Sequence, residues 1–180
     1  ASCMPAALKS WKERRMEIAE DELSGTGADD KKRGKLGPLT TRLVERSNEF
    51  VDLDELIKHD SKYERLCDML QAYFKLHPKA KVIVFSTYRG TLAYLDQRLN
   101  KDSISTIVLQ GGGTRTKDDV IQEFRSPQGP SVLLSSEVGG EGVDLQFSWV
   151  VVNYDLPWNP MRVEQRIGRV DRLGQESDKV

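Results

Sequence analysis

The sequence predicts an α/β fold, a parallel sheet with helices on both faces. Short apolar segments typical of strands alternate with longer segments whose apolar residues have helical spacing. The strand segments are continuously apolar, as expected when both faces of a sheet are buried. Right-handed crossover helices then connect the parallel strands. The 180 residues, 38% hydrophobic and 31% charged, suit one domain of ordinary composition with an appendage.

The first 39 residues are predicted to form that appendage. Residues 1–23 are rich in helix formers, and Leu8, Trp11 and Ile18 fall on one side, which predicts an amphipathic helix. Residues 24–39 are rich in glycine and charge, which predicts a flexible linker. A basic loop that binds nucleic acid through Lys31–Lys35 is the alternative interpretation of this segment.

The remaining residues, 40–180, are predicted to form the α/β domain, with its core at about residues 60–175. The last helix has a good N-cap in Asn159, followed by a proline in the first turn. The predicted strands are Lys81–Ser86, Ile104–Leu109, Ser131–Ser135 and Trp149–Tyr154. The predicted helices are Thr40–Phe50, Asp60–Leu76, Arg89–Asn100, Lys117–Arg125 and one that begins at Asn159–Pro160.

Composition excludes several classes of function. A net charge of −1 excludes a strongly basic nucleic-acid coat, so any phosphate contact must be local. The longest apolar runs are far too short to cross a bilayer, and no signal peptide is visible. Cys3 and Cys67 lie far apart, and His59 and His77 have no second ligand at metal-binding spacing. We therefore expect no metal site, reduced thiols, a cytoplasmic location, and a chain that is part of a longer protein.

Four predicted loops follow the carboxyl ends of the strands, where ligands of open parallel sheets collect. They are residues 86–89, 110–113, 135–142 and 155–158. Three of them are rich in Gly, Ser or Thr, whose backbone N–H groups and hydroxyls suit phosphate oxygens. Each glycine alone could merely form a tight turn, but three such loops at one edge favour phosphate binding.

The last helix carries two arginines on one side. At about 100° per residue, Gln165, Arg169 and Arg172 fall within about 60° of one another. The opposite side carries Val163, Ile167 and Val170, which predicts that this side packs on the domain. Two guanidinium groups would then project outward.

A solvated charged surface is the alternative for this helix, with Glu164, Arg166 and Asp171 in weak surface ion pairs. Arg166 is expected to point about 60° or more away from Arg169 and to matter less. The chain has no Gly-x-x-x-x-Gly-Lys-Ser/Thr loop, no acidic box after a strand and no nucleophile–base pair. It therefore has phosphate-friendly loops without the apparatus for metal or attacking water.

Several segments resemble conserved motifs of superfamily 2 helicases. Residues 135–145 resemble motif V, residues 155–160 the next conserved block, and residues 164–175 motif VI. Residues 81–88 match motif IV, and residues 109–124 match the glycine-bearing block between motifs IV and V. Trp-Asn-Pro and the terminal Arg-Leu-Gly-Gln resemble the Swi/Snf-type DNA-translocating ATPases. The motif Gln-Arg-Ile-Gly-Arg-x-Asp-Arg is most similar to that of the bacterial RNA-polymerase-associated (RapA-type) branch.

The resemblance implies the second RecA-like lobe of a two-lobed motor, whose first lobe would carry the Walker loop and bind most of ATP and Mg²⁺. It implies arginine fingers at Arg169 and Arg172. It further implies double-stranded DNA or another nucleic acid as partner, RNA polymerase as a second partner, and no membrane. The implied nucleotide-contacting residues are Gly142, Asp144 and Gln165. The implied nucleic-acid contacts are Thr87, Arg89, Gly111, Gly112, Gly113, Ser135 and Ser136.

The sequence departs from the eukaryotic remodeller pattern at Glu137, where Arg is usual, and at Asp144, where Asn is usual. Two other functions remain open from the residues alone. One is a non-catalytic docking module with the same fold. The other is a stand-alone domain that binds a nucleotide cofactor through Gln110–Gly113, although no Gly-x-Gly-x-x-Gly stands between strand and helix there.

Overall fold

The computed structural model describes residues 3–9, 42, 46, 52–110, 115–136, 142–143, 145–148, 150–157 and 159–170. Most of the predicted N-terminal helix and the whole linker lie outside these residues. So do five predicted site residues, Gly111, Gly112, Gly113, Asp144 and Arg172. The described residues up to Ser61 and those from Lys62 onward form two compact units.

The first unit is helical where it is described. Residues 4–9 are helical and lie within the helix predicted for residues 1–23. Arg42 and Arg46 are also helical and lie within the predicted helix Thr40–Phe50. Helix α1 (Leu53–Lys58) was not predicted; it begins at Asp52, whose carboxylate accepts a hydrogen bond from the Asp54 N–H. This is the ordinary N-cap arrangement, and its sequence signal was present.

The elements from Ser61 onward alternate as predicted, with boundaries that differ by at most two residues. The helices are α2 (Ser61–Leu76), α3 (Arg89–Lys101), α4 (Lys117–Arg125) and α5 (Pro160–Ile167). The strands are β1 (Val82–Phe85), β2 (Thr106–Leu109), β3 (Val132–Ser135) and β4 (Val150–Asn153). Side-chain caps start two of these helices: Thr116 accepts from the Asp119 N–H at α4, and Asn159 from the Met161 N–H at α5.

The four strands form one parallel sheet in the order β2-β3-β1-β4. The connection from β1 to β2 runs along the sheet in one direction, and the connection from β2 to β3 runs in the opposite direction. Because both crossovers of a parallel sheet are right-handed, helices α3 and α4 must lie on opposite faces. The prediction of a parallel sheet with helices on both faces is confirmed.

The α4 face of the sheet holds one apolar core. Phe124 is fully buried there among Ile83, Leu109 and Leu133 from three different strands. Its ring meets that of Phe147 edge-on, with the centroids 5.5 Å apart. This contact attaches the segment before β4 to helix α4.

The other face of the sheet is equally buried. Four of its side chains have no solvent exposure, those of Val82, Val84, Val132 and Leu134. Helix α3 turns its leucines inward as predicted; Leu92, Leu95 and Leu99 are all fully buried.

Helix α2 packs on α3 through aromatic contacts. Tyr63 and Tyr94 meet edge-on at 6.2 Å, and the Arg98 guanidinium lies 3.7 Å from the Tyr63 centroid. Burial and the neighbouring Asp102 carboxylate together raise the pKa of the Tyr63 phenol, so it stays protonated.

Because Phe124 is fully buried, Phe124→Ala should cause a large loss of stability. Removing a fully buried ring leaves a cavity, so the free energy of unfolding should fall by about 3–5 kcal/mol. Leu76→Ala serves as the control, because Leu76 is 77% exposed and should change stability by about 0.5 kcal/mol or less. Urea denaturation of the 180-residue chain measures both; equal effects would contradict the described core.

Candidate functional site

The loops after β1 and β4 are joined by one carboxylate at the carboxyl edge of the sheet. The two strands are neighbours in register, with Phe85 opposite Asn153, so their following loops start side by side. Asp155 accepts from the Ser86 hydroxyl at 2.5 Å, the Thr87 hydroxyl at 2.9 Å, and the Thr87 N–H at 2.9 and 3.1 Å. These bonds fix the start of the loop that leads into α3.

Arg166 lies beneath this edge and is only 2% exposed. One guanidinium nitrogen donates to Asn153 Oδ1 at 2.7 Å and to the backbone carbonyl of Asp155 at 3.1 Å. A second nitrogen lies 3.9 Å from Asp155 Oδ1, and the guanidinium lies 5.3 Å from the Phe85 ring centroid. Because an unpaired buried charge is very costly, these partners decide where α5 sits on the sheet.

The alternative interpretation, in which Arg166 lies on a solvated charged surface, is wrong for this residue. On the helical wheel Arg166 is about 40° from Val170 and about 60° from Val163, so it shares their buried side. Ile167 was expected to pack on the domain, but it is 39% exposed. The helix therefore docks through Val163, Arg166 and Val170.

Arg169 and Gln165 lie away from this docking side. Gln165 is exposed and Arg169 half-buried. Arg169 follows the end of α5 in a turn, with its N–H donating to the Arg166 carbonyl at 3.3 Å. The next residue, Val170, is fully buried, so the backbone of Arg169 is held from both sides.

The predicted nucleic-acid residues that the structure describes reach the same edge with different exposure. Thr87 and Arg89 are exposed, whereas Ser136 is buried and Ser135 completely so. The Ser135 hydroxyl donates to the Ser136 carbonyl, so it is turned into the protein. Both donors of Thr87 are taken by Asp155. Arg89 is thus the charged residue of this group that faces solvent.

Gly142 is exposed and lies in a turn before the buried Val143. It has a φ of +75°, which favours glycine, and apart from its chain neighbours no atom of the described residues lies within 4 Å of the place where a Cβ would stand. It borders a cleft of about 360 Å³ lined by α4 residues and by Val143, Gln146 and Phe147.

Two further findings concern the described residues only. Within them, no three His, Cys, Asp or Glu side chains come together in a way that could hold a metal ion. Among the same residues, no helix is both long enough and apolar enough to cross a membrane.

Sequence reasoning identified the two loops but missed the residues that connect them. Asp155 and Asn153 were not among the predicted site residues, and Arg166 was expected only to point away from Arg169 and to matter less. A signal existed for Arg166, since its wheel position lies within about 60° of both Val163 and Val170, and a guanidinium buried on that side needs hydrogen-bond partners. The pairing of Asp155 with Thr87, 68 residues away, had no local signal.

Comparison with known proteins identifies the class. Residues 61–174 match the helicase conserved C-terminal domain, and the chain belongs to this family. A Bacillus subtilis protein named uncharacterized ATP-dependent helicase YqhH is 52% identical over 130 residues, 72% of this chain. The matched region spans 22% of that protein's length.

Solved structures share the fold. The C-terminal part of the Fun30 ATPase domain matches with a TM-score of 0.59 and 20% identity over 87% of this chain and 56% of that one. Domain 2 of the DEAD-box helicase Mss116p, bound to an RNA duplex, matches with a TM-score of 0.55 and 21% identity over 64% of this chain and 46% of that one. These likenesses confirm the RecA-like helicase C-terminal fold.

Arg166→Ala should destabilise the chain by about 3 kcal/mol, because it removes the donor that satisfies Asn153 Oδ1 and the Asp155 backbone carbonyl. Arg162→Ala is the matched control; Arg162 is an exposed arginine of the same helix and should change stability by about 0.5 kcal/mol or less. Urea denaturation compares the two variants. A loss for Arg166→Ala as small as that for Arg162→Ala would mean that the buried contacts do not form.

Proposed function

We propose that the chain is the second motor lobe of a bacterial, cytoplasmic, DNA-dependent ATPase of the Swi/Snf type, from its RapA-like branch. The observation that carries the proposal is the anchoring of α5 by Arg166 at the carboxyl edge of the sheet. This anchoring holds the motif VI segment, with Gln165 and Arg169, beside the edge where ligands of parallel sheets collect. Family membership and the ATP-dependent helicase name of the B. subtilis relative support it.

ATP and Mg²⁺ would be bound mainly by a first lobe elsewhere in the protein. When bound, ATP supplies the phosphoryl bond that is cleaved. In this chain, Arg169 and Arg172 would stabilise the charge that develops on the transferred phosphoryl group, and their planar guanidinium groups suit that role. Gln165 would orient the fingers, and Gly142 and Asp144 would contact the nucleotide.

Nucleic acid would be gripped by its backbone at the carboxyl edge. Arg89 is the charged contact that the described geometry supports best, since it starts α3 directly after the loop held by Asp155. Ser136 and residues 111–113 would add uncharged contacts, whereas Thr87 and Ser135, whose donors are engaged within the protein, would shape the loops that make them. Contacts to the phosphate backbone carry little sequence information, so we propose tracking of duplex DNA with little sequence preference.

The main prediction of this proposal concerns Arg169→Ala in the two-lobed protein. Folding and nucleotide affinity should remain nearly unchanged, while DNA-stimulated ATP turnover falls by on the order of 10³-fold, the usual effect of an arginine finger. Arg169→Lys should restore little, because an ammonium group lacks the planar fork. Steady-state ATPase assays with saturating DNA measure the effect.

Arg162→Ala is the control for this experiment, because it removes the same charge from an exposed position in α5, the helix that directly precedes Arg169. It should keep more than about half of the normal rate. Near-normal turnover in Arg169→Ala would exclude Arg169 as a finger and favour the docking-module alternative.

A second prediction concerns the 180-residue chain by itself. Because half of the composite nucleotide site would be missing, the chain should fold but hydrolyse no ATP, with or without DNA. Its DNA binding should be weak, as its net charge is only −1. A sensitive phosphate-release assay tests this, and turnover that copurifies with the chain through successive columns would contradict the two-lobe proposal.

A further inference from the structure

We propose that Asp155 and Arg166 are positioning residues that join the loop at residues 86–89 to the turn after α5 that carries Arg169, so that nucleic-acid contact at the loop is transmitted to Arg169. The inference rests on the proposed function, because it assigns nucleic acid to the loop and a finger role to Arg169. Neither Asp155 nor Arg166 would touch either ligand. Their role is to keep the two contact regions in one fixed arrangement.

The first half of the connection joins the loop to Asp155. The carboxylate accepts from two consecutive residues, Ser86 and Thr87, through two hydroxyls and one backbone N–H. The Ser86 hydroxyl also accepts from the Tyr88 N–H at 3.4 Å, and Arg89 follows immediately as the first residue of α3. A displacement of this loop therefore displaces the Asp155 carboxylate.

The second half joins Asp155 to the finger. The Arg166 guanidinium holds the Asp155 backbone carbonyl and the Asn153 amide oxygen together, at the end of β4. One turn later along the chain, Arg169 donates its N–H to the Arg166 carbonyl. The path from Thr87 to Arg169 thus runs through two side chains, both nearly excluded from water.

The pairing of β1 with β4 does not need this connection. The strands already pair β1 with β4 in register, and the Tyr154 N–H donates to the Phe85 carbonyl at 3.0 Å. A buried ion pair usually stabilises a protein no more than apolar side chains of equal volume would. The charged pair is thus better explained by a positioning role. Asp155 accepts hydrogen bonds from the exposed loop, and Arg166 lies in α5, the helix that directly precedes Arg169.

The test measures coupling in the two-lobed protein, as the ratio of ATPase rates with saturating duplex DNA and without DNA. Asp155→Asn keeps the shape but removes the charge and places a donor against the donors of Thr87. We expect the ratio to fall about tenfold, the equivalent of one charge-assisted hydrogen bond. Asp155→Glu, which retains the charge, should recover part of the ratio.

Ser148→Ala is the matched control. Ser148 is fully buried, and its hydroxyl donates to the Lys81 carbonyl at 2.7 Å, beside the opposite ends of the same two strands. Ser148→Ala should leave the ratio of ATPase rates unchanged, even if it lowers the free energy of unfolding. If Asp155→Asn fails to fold, Ser86→Ala replaces it, since this variant removes one bond to the carboxylate and should lower the ratio by about threefold.

The outcomes separate this inference from the proposed function. A normal ratio in folded Asp155→Asn and Ser86→Ala, or an equal fall in Ser148→Ala, would overturn the positioning role. A fall that higher DNA concentration fully reverses would overturn it too, because only DNA affinity would have changed. If the positioning role is overturned but Arg169→Ala still abolishes turnover, the proposed function stands. If Arg169→Ala retains turnover, the proposed function itself fails.

Discussion

The guanidinium of Arg166 is a permanent charge held almost out of contact with water, and the site depends on how that charge is satisfied. Its partners, Asn153 and the Asp155 carbonyl, lie at the end of β4. The helix that carries Arg166 can dock in one way only if these bonds are to form, because the cost of losing them is several kcal/mol. Asp155 extends the same constraint to the loop after β1, so a single buried charge sets the relative position of two surface regions.

The sheet makes this arrangement possible. Strands β1 and β4 are parallel neighbours in register, and their carboxyl ends stop at the same level. The strand order also separates α3 and α4 onto opposite faces, and ligands of open parallel sheets collect at the carboxyl edge between such faces. A family with this topology therefore has a ready place for ligands, and the chemistry depends on the side chains and loops placed there.

The fold was largely predictable from the sequence because its signals are local. Continuous apolar strands gave the parallel sheet, and the pattern over Lys117–Arg125 gave α4 with its observed ends. The site was predictable in outline only. The position of Arg166 on the helical wheel could be read from the sequence. The residue was nevertheless treated by its type alone, as an arginine that is exposed. The contacts of Asp155 with Ser86 and Thr87 join residues nearly 70 positions apart, and no periodicity reports such pairing.

The account claims that Arg166, Asp155 and the loop at Thr87 behave as one connected unit. The most direct measurement is amide hydrogen exchange, resolved by residue, at the Thr87 N–H that donates to Asp155. We predict slow exchange of Thr87 in the unmodified chain and exchange at least about tenfold faster in Arg166→Lys, while the amides of β3 keep their protection. Equal exchange of Thr87 in both proteins would show that Asp155 holds the loop without Arg166, and would contradict the account.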